Sequence, residues 1–270
     1  MGLIDEPELT GIRRIHTDTD TDELVLPQAS IERLRRIAEW VVQPRPVMRE
    51  WGLHRFIDGG LRALFRGPSG TGKSMAAAVI GREIDRPVYG VDLGAVVSKY
   101  IGETEKKLKR IFDAADAEGA ILFFDEADAL FGKRTEVKDS HDRYANQEIS
   151  YLLRRLEPFE GLAILATNRR GDLDEEVITR LDGIVDFPMP DATARERLWR
   201  QALGAMKMFR TDAVDAAGLA KAYELSGADI IRAARIAALL ASSDDQPLDM
   251  ALLEHAAEER VKMKDAVTAK

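Results

Sequence analysis

The 270-residue chain carries 39 basic and 47 acidic side chains, a formal charge of −8, with 45% hydrophobic and 32% charged residues. These proportions are ordinary for a soluble globular protein, and the length supports one large domain or two smaller ones, each with its own core. The acidic balance argues against sequence-independent binding to nucleic acid, which needs a basic footprint, and the lack of cysteine excludes disulfides and thiolate metal sites.

No apolar run approaches a membrane span, and the N-terminus lacks the basic-then-apolar layout of a signal peptide. A cytoplasmic protein without membrane association is expected. Residues 1–22 read as a flexible segment, because the polar repeat Thr17 to Asp22 has nothing to bury. A helix capped by Ser30 and running through Val42 follows, with Ile31, Leu34, Ile37, Ala38 and Val41 on one face.

The short apolar run Leu61, Ala63, Leu64, Phe65 reads as a strand, and Met75 to Ile84 as a helix. Between them lies Gly67-Pro68-Ser69-Gly70-Thr71-Gly72-Lys73-Ser74. This is the G-x-x-x-x-G-K-[ST] pattern in its required strand–turn–helix context. Glycines there let successive backbone N–H groups turn inward around a phosphate. The helix N-terminus adds its amides and positive end. Lys73 is expected on the β- and γ-phosphates of a nucleoside triphosphate and Ser74 on Mg²⁺, with Met75 also contacting the nucleotide.

Pro87 to Asp92 reads as a short strand, and Glu103 to Ala117 as a helix with Leu108, Ile111, Phe112 and Ala115 at helical spacing. Ala120 to Phe124 is apolar throughout, as a strand buried on both faces should be. It ends in Asp125-Glu126. Asp125 is placed to hold Mg²⁺, and Glu126 to polarise an attacking water. The plainer alternative is a helix N-cap with a first-turn acid. Further buried strands are expected at Leu162 to Ala166, ahead of Thr167-Asn168, and at Ile184 to Phe187. Strands alternating with helices imply a parallel sheet covered on both faces, with ligands at the strands' carboxyl ends. After Asp191 the strand signals stop. Segments 191–203, 212–224, 227–242 and 247–264 read as a small all-helical domain. The expected division is thus 1–22, a large α/β domain over 23–190, and a helical domain over 191–270.

From Glu23 to about Lys264 the sequence resembles the AAA+ ATPases, and within them the AAA branch. The resemblance implies a P-loop module with a parallel five-stranded sheet flanked by helices, followed by a helical lid. It makes Gly67 to Ser74 Walker A, Ile121 to Glu126 Walker B and Ala166-Thr167-Asn168 sensor 1, with Asn168 and Glu126 orienting the lytic water. It places Gly227 and Ala228, within Ser226-Gly227-Ala228-Asp229, against the adenine. It also implies ATP and Mg²⁺, a homo-hexamer and a protein client.

Ser98 to Glu103 is similar to the first pore loop, in which Lys99, Tyr100 and Ile101 would grip a polypeptide. The alternative for Tyr100 is an aromatic packed at a helix start. The stretch Leu173 to Phe187 departs from the family, since Thr179 stands where a first arginine is usual. That leaves Arg180 as a single trans-acting finger, or else as a salt bridge at a sheet edge. Arg232 and Arg235 read as solvated or lid-packing. Phe131 to Asn146 resembles a bacterial subgroup found with contractile injection particles, although 132–142 also reads as a charged surface loop. Two function classes follow: a motor that remodels or threads a protein, and a nucleotide-gated assembly or loading factor that threads nothing.

Overall fold

A computed structural model describes residues 11–42, 50–52, 59–96, 103–127, 151–168, 178–206, 214–243 and 246–268. These fall into two compact units. One comprises residues up to Leu24, 28–67 and 73–186; the other comprises 25–27, 68–72 and 187–270.

The first unit is built on six strands: β1 (Ile12–Ile15), β2 (Leu61–Arg66), β3 (Val88–Asp92), β4 (Ile121–Asp125), β5 (Leu162–Thr167) and β6 (Gly183–Asp186). Their order across the sheet is β1-β3-β4-β5-β2-β6. The five from β3 to β6 are mutually parallel, as expected for buried apolar strands alternating with helices. Helix α1 spans Gln28–Val42, α2 spans Lys73–Glu83 and α3 spans Glu103–Glu118. On one side of the sheet, α3 delivers Leu108, Ile111, Phe112 and Ala115 into a core with Leu122, Phe124, Ala163 and Leu165. Phe112 stacks on Phe124 with centroids 5.8 Å apart and meets Phe159 edge-on at 5.3 Å.

The sheet has one strand more than the five expected, and it lies in the segment expected to be flexible. β1 runs antiparallel to β3, pairing Ile12 with Val91 and Ile15 with Val88, and Asp92 N–H donates to Gly11 O at 2.9 Å. Gly11 sits at φ +91°, a turn that favours glycine. The polar repeat that follows is held by charge instead of burial. Arg82 pairs with Asp20 at 3.1 Å, Arg35 with Asp22 at 2.9 Å, and Thr21 donates to Glu83 at 2.9 Å. Residues 1–10 lie outside the described residues, as do the expected pore loop around Tyr100 and the stretch 131–146.

A second correction concerns Ser30. Helix α1 begins two residues earlier, and Ser30 is buried within it. Its hydroxyl donates to Asp186 O at 2.7 Å instead of capping the helix. Arg33 on the same helix donates to Ile184 O at 3.0 Å. Both acceptors belong to β6, so α1 closes that edge of the sheet.

The second unit holds α4 (Ala192–Gly204), α5 (Ala216–Ala222), α6 (Gly227–Ser243) and α7 (Met250–Thr268) around Trp199 and Leu203, with an alanine-rich seam. Ala233, Ala234 and Ala237 of α6 and Ala256 and Ala257 of α7 are buried, and such small side chains let two helices approach closely. Asp229, near the start of α6, is buried too. It accepts from the Ser226 hydroxyl at 2.7 Å and from Arg260 of α7 at 2.6 Å, with Lys264 at 3.5 Å. Burial alone would raise the carboxyl above the usual range. The Ser226 and Arg260 hydrogen bonds, aided by the charges of Lys264 and Arg260, outweigh it and hold the carboxyl below that range. Among the described residues no helix is long and apolar enough to cross a membrane.

Two expectations follow. Replacing both Ile12 and Ile15 with Ala should uncover the β3 edge and cost about 2 kcal/mol, since both are half-buried. On that scale the thermal midpoint falls by a few degrees, measurable by circular dichroism. A carboxyl depressed in the folded state stabilises above its unfolded pKa of about 3.9, and that contribution is lost as pH falls through the folded value. Urea unfolding should therefore show Asp229→Asn well below wild type at pH 7, with the gap closing below about pH 4. A gap independent of pH would reject the charged network as its source.

Candidate active site

Parallel pairing sets the carboxyl ends of β4, β5 and β2 side by side, with β5 in the middle. In register, Phe124 of β4 lies opposite Leu165, and Arg66 of β2 lies opposite Thr167. β4 ends in Asp125, and the residues just beyond the three ends are Glu126, Asn168 and Gly67. Gly67 N–H donates to Thr167 O at 3.1 Å, which carries the ladder one residue past β2.

Lys73, the first residue of α2, turns back over this edge and is 7% exposed. Its ammonium donates to Gly67 O at 2.6 Å and to Asn168 Oδ1 at 2.7 Å. A buried ammonium is costly unless hydrogen-bonded, and these two oxygens supply acceptors for it. Two residues 95 apart in sequence are thus joined directly.

The turn itself suits an anion. Gly70 sits at φ +78° and Gly72 at φ +100°, backbone states that favour glycine. A Cβ built on Gly72 meets nothing within 4 Å among the described residues. Thr71 Oγ1 donates to Pro68 O at 2.8 Å and braces the turn. Ser69 is exposed, Ser74 half-buried in the first turn of α2, and Met75 39% exposed. At Gly70 a Cβ would lie 2.6 Å from Ser226 Oγ and 3.1 Å from Ala228 Cβ. Ala228 N–H also donates to Gly70 O at 3.0 Å. The Ser226–Asp229 segment therefore touches the turn directly through Ala228, with Gly227 beside it.

Asp125 is half-buried at the end of β4, and its Oδ1 accepts the Glu126 N–H at 3.0 Å. Glu126 is exposed at φ +50°, a left-handed state that a non-glycine residue adopts only when its surroundings impose it. Nothing in the wording Phe-Phe-Asp-Glu announces that geometry. Among the described residues no three His, Asp or Glu side chains cluster as a metal cage. Ser74 and Asp125 instead offer separate oxygens, which suits Mg²⁺, an ion that usually keeps waters and phosphate oxygens as its other ligands.

Arg180 follows the short turn after Ile178, and its guanidinium donates to the Glu157 carboxylate. Within one chain it therefore makes the salt bridge that the plainer sequence reading allowed. Arg232 is 63% exposed at its side chain, 4.0 Å from Asp229, and Arg235 is exposed. Lys99, Tyr100 and Ile101 lie outside the described residues. The sequence reading missed Asp229 and Arg260, because an acid in a first turn and a basic residue 31 positions later carry no joint pattern.

Residues 63–189 match the profile of the ATPase family associated with various cellular activities (AAA). The chain is 32% identical over 225 residues to proteasome-activating nucleotidase 1 of Halobacterium salinarum, an alignment covering 80% of this chain and 54% of that protein. It is 31% identical over 243 residues to cell division protein C of Sulfolobus acidocaldarius, covering 82% and 63%. To the ATPase family gene 2 protein of Schizosaccharomyces pombe it is 34% identical over 220 residues, covering 79% and 26%. The chain thus spans about half the length of the proteasome-activating nucleotidase. With the parallel sheet, the glycine turn and Lys73 in place, residues 63–189 belong to the AAA family of ATPases, enzymes whose usual cofactors are ATP and Mg²⁺.

Proposed function

We propose that this chain is a Mg²⁺-dependent ATPase whose copies assemble into a hexameric ring and remodel or thread a protein client in the cytoplasm. The observation that carries the catalytic part is Lys73 bonded to Asn168 at a strand edge shared with Asp125 and Glu126. In this reading the amides of Gly67 to Ser74 cradle the phosphates. Lys73 gives up Gly67 O and Asn168 Oδ1 for β- and γ-phosphate oxygens, stronger charge-assisted partners. Ser74 and Asp125 would hold Mg²⁺, which would supply positive charge beside the phosphates. Asn168, freed from Lys73, orients the water. Glu126 takes a proton from it as its oxygen bonds to the γ-phosphorus and the bond to ADP breaks. Met75, Gly227 and Ala228 lie at the nucleotide.

Two residues carry the assembly and client parts. Arg180 leaves Glu157 for the triphosphate of a neighbouring subunit, where charge develops in the transition state. Tyr100, between Lys99 and Ile101, grips the client by ring area without reading its sequence. A protein client is favoured by the similarity to proteasome-activating nucleotidases. Nucleic acid is disfavoured by the charge of −8. Association with a contractile injection particle rests on the wording of 131–146 alone and remains a proposal of context.

Lys73→Ala should weaken ATP binding about 10- to 100-fold, the cost of a charge-assisted contact. Glu126→Gln should bind ATP normally and lose turnover by about 10²–10⁴. Nucleotide titration and phosphate release separate the two, and wild-type turnover in Glu126→Gln removes Glu126 from the mechanism. For the client, ATPase is measured with and without an unfolded polypeptide. Wild type and Tyr100→Phe should be stimulated and Tyr100→Ala should not, with basal rates alike. Equal stimulation of all three would leave the nucleotide-gated loading factor as the better reading.

A further inference from the structure

The nucleotide turn has a support that the catalytic residues do not account for. Its middle residue, Gly70, gives its carbonyl to Ala228 N–H at 3.0 Å, one of the first-turn amides of α6. The same helix start is organised by Ser226, whose Oγ accepts Asp229 N–H at 3.3 Å and donates to Asp229 Oδ2 at 2.7 Å. Asp229 in turn is held from α7: Arg260 Nη2 donates to Oδ1 at 2.6 Å, and Lys264 stands 3.5 Å from Oδ2. The side chains of Asp229 and Arg260 are 7% and 16% exposed, so neither charge is screened as a surface pair would be. Arg260 Nε is buried with no hydrogen-bond partner among the described residues, so the guanidinium's placement costs a buried donor. Helix α7 thereby reaches the phosphate turn through three links: Arg260 to Asp229, Asp229 to Ser226 and Ala228, and Ala228 to Gly70.

We infer that Asp229 and Arg260 are positioning residues for the nucleotide turn, so that the far helix α7 sets how tightly nucleotide binds. The inference rests on the nucleotide reading proposed above. The fit at Gly70 is close enough to transmit a shift. A single added Cβ there would fall within 2.6 Å of Ser226 Oγ, so a displaced Ser226 alters the space available to the turn. Removing the guanidinium leaves a buried carboxylate short of its main cation, and it must then lean towards Lys264 at 3.5 Å, Arg232 at 4.0 Å, Ser226 or solvent. Either response loosens the cap and the Ala228 contact. Because the turn holds phosphates common to ADP and ATP, affinity for both nucleotides should fall together, without a matching loss of turnover at saturation.

The test uses the full chain and a fluorescent N-methylanthraniloyl-ADP, with ATP as competitor and phosphate release as the rate. Arg260→Met should weaken both nucleotides at least tenfold while turnover at saturating ATP stays within twofold. Arg260→Lys should recover to within about threefold of wild type, since it restores the cation on Asp229. Lys264→Met, at a side chain 44% exposed, should give a smaller loss of two- to fourfold and keeps the test available if Arg260→Met does not fold. Unchanged affinities in Arg260→Met, or in Lys264→Met if only that variant folds, would overturn the inference and leave a structural ion pair. Lys73→Ala, run alongside, must lose binding. Retained binding there would overturn the nucleotide reading instead.

Discussion

Parallel hydrogen bonding of β5 to β4 on one side and to β2 on the other is the constraint on which the rest depends. It fixes all three carboxyl ends at one level, so a lysine at a helix start and an asparagine 95 residues later need no further device to meet. Backbone bonds do this without reference to side-chain identity beyond the requirement that the strands be buried. The residues at the strand ends are then free to be polar, because their backbones are already satisfied by neighbours.

What was legible in the amino-acid order follows from that. β4 and β5 are unbroken apolar runs up to a polar last residue, and β2 is an apolar run interrupted by Arg62; runs of that kind between turn signals have few other uses. Gly67 to Ser74 was legible because its spacing only works at a strand–helix junction. β1 was not, because Ile-Arg-Arg-Ile lacks strand alternation, and its pairing depends on a β3 edge supplied from elsewhere in the chain. The same holds for Ser30, a good N-cap residue type whose hydroxyl is captured by Asp186 O from a strand 156 residues away. Local preference reads such a serine as a cap, and a tertiary acceptor overrides it.

Two features of the site show chemistry held in reserve. Glu126 stands in a left-handed backbone state directly after a fully hydrogen-bonded strand, so the ladder holds a residue that would relax if left alone. Arg180 and Lys73 both rest on oxygens of their own chain, Glu157 for one and Gly67 with Asn168 for the other. Any anion arriving at either side chain would have to outcompete an existing contact. Cations kept occupied in this way do not attract stray anions as readily as free ones would.

Among the described residues both margins of the sheet resist the addition of further strands. At β6, α1 spends the Ser30 hydroxyl and the Arg33 guanidinium on the carbonyls of Asp186 and Ile184. At the opposite margin stands β1, four residues long with two adjacent arginines, and short charged strands discourage edge-to-edge addition. Joining copies of this chain by extending a common sheet is thereby disfavoured. Association through side chains and helix surfaces is more readily reversed than a continuous intermolecular ladder, which would set like a fibril.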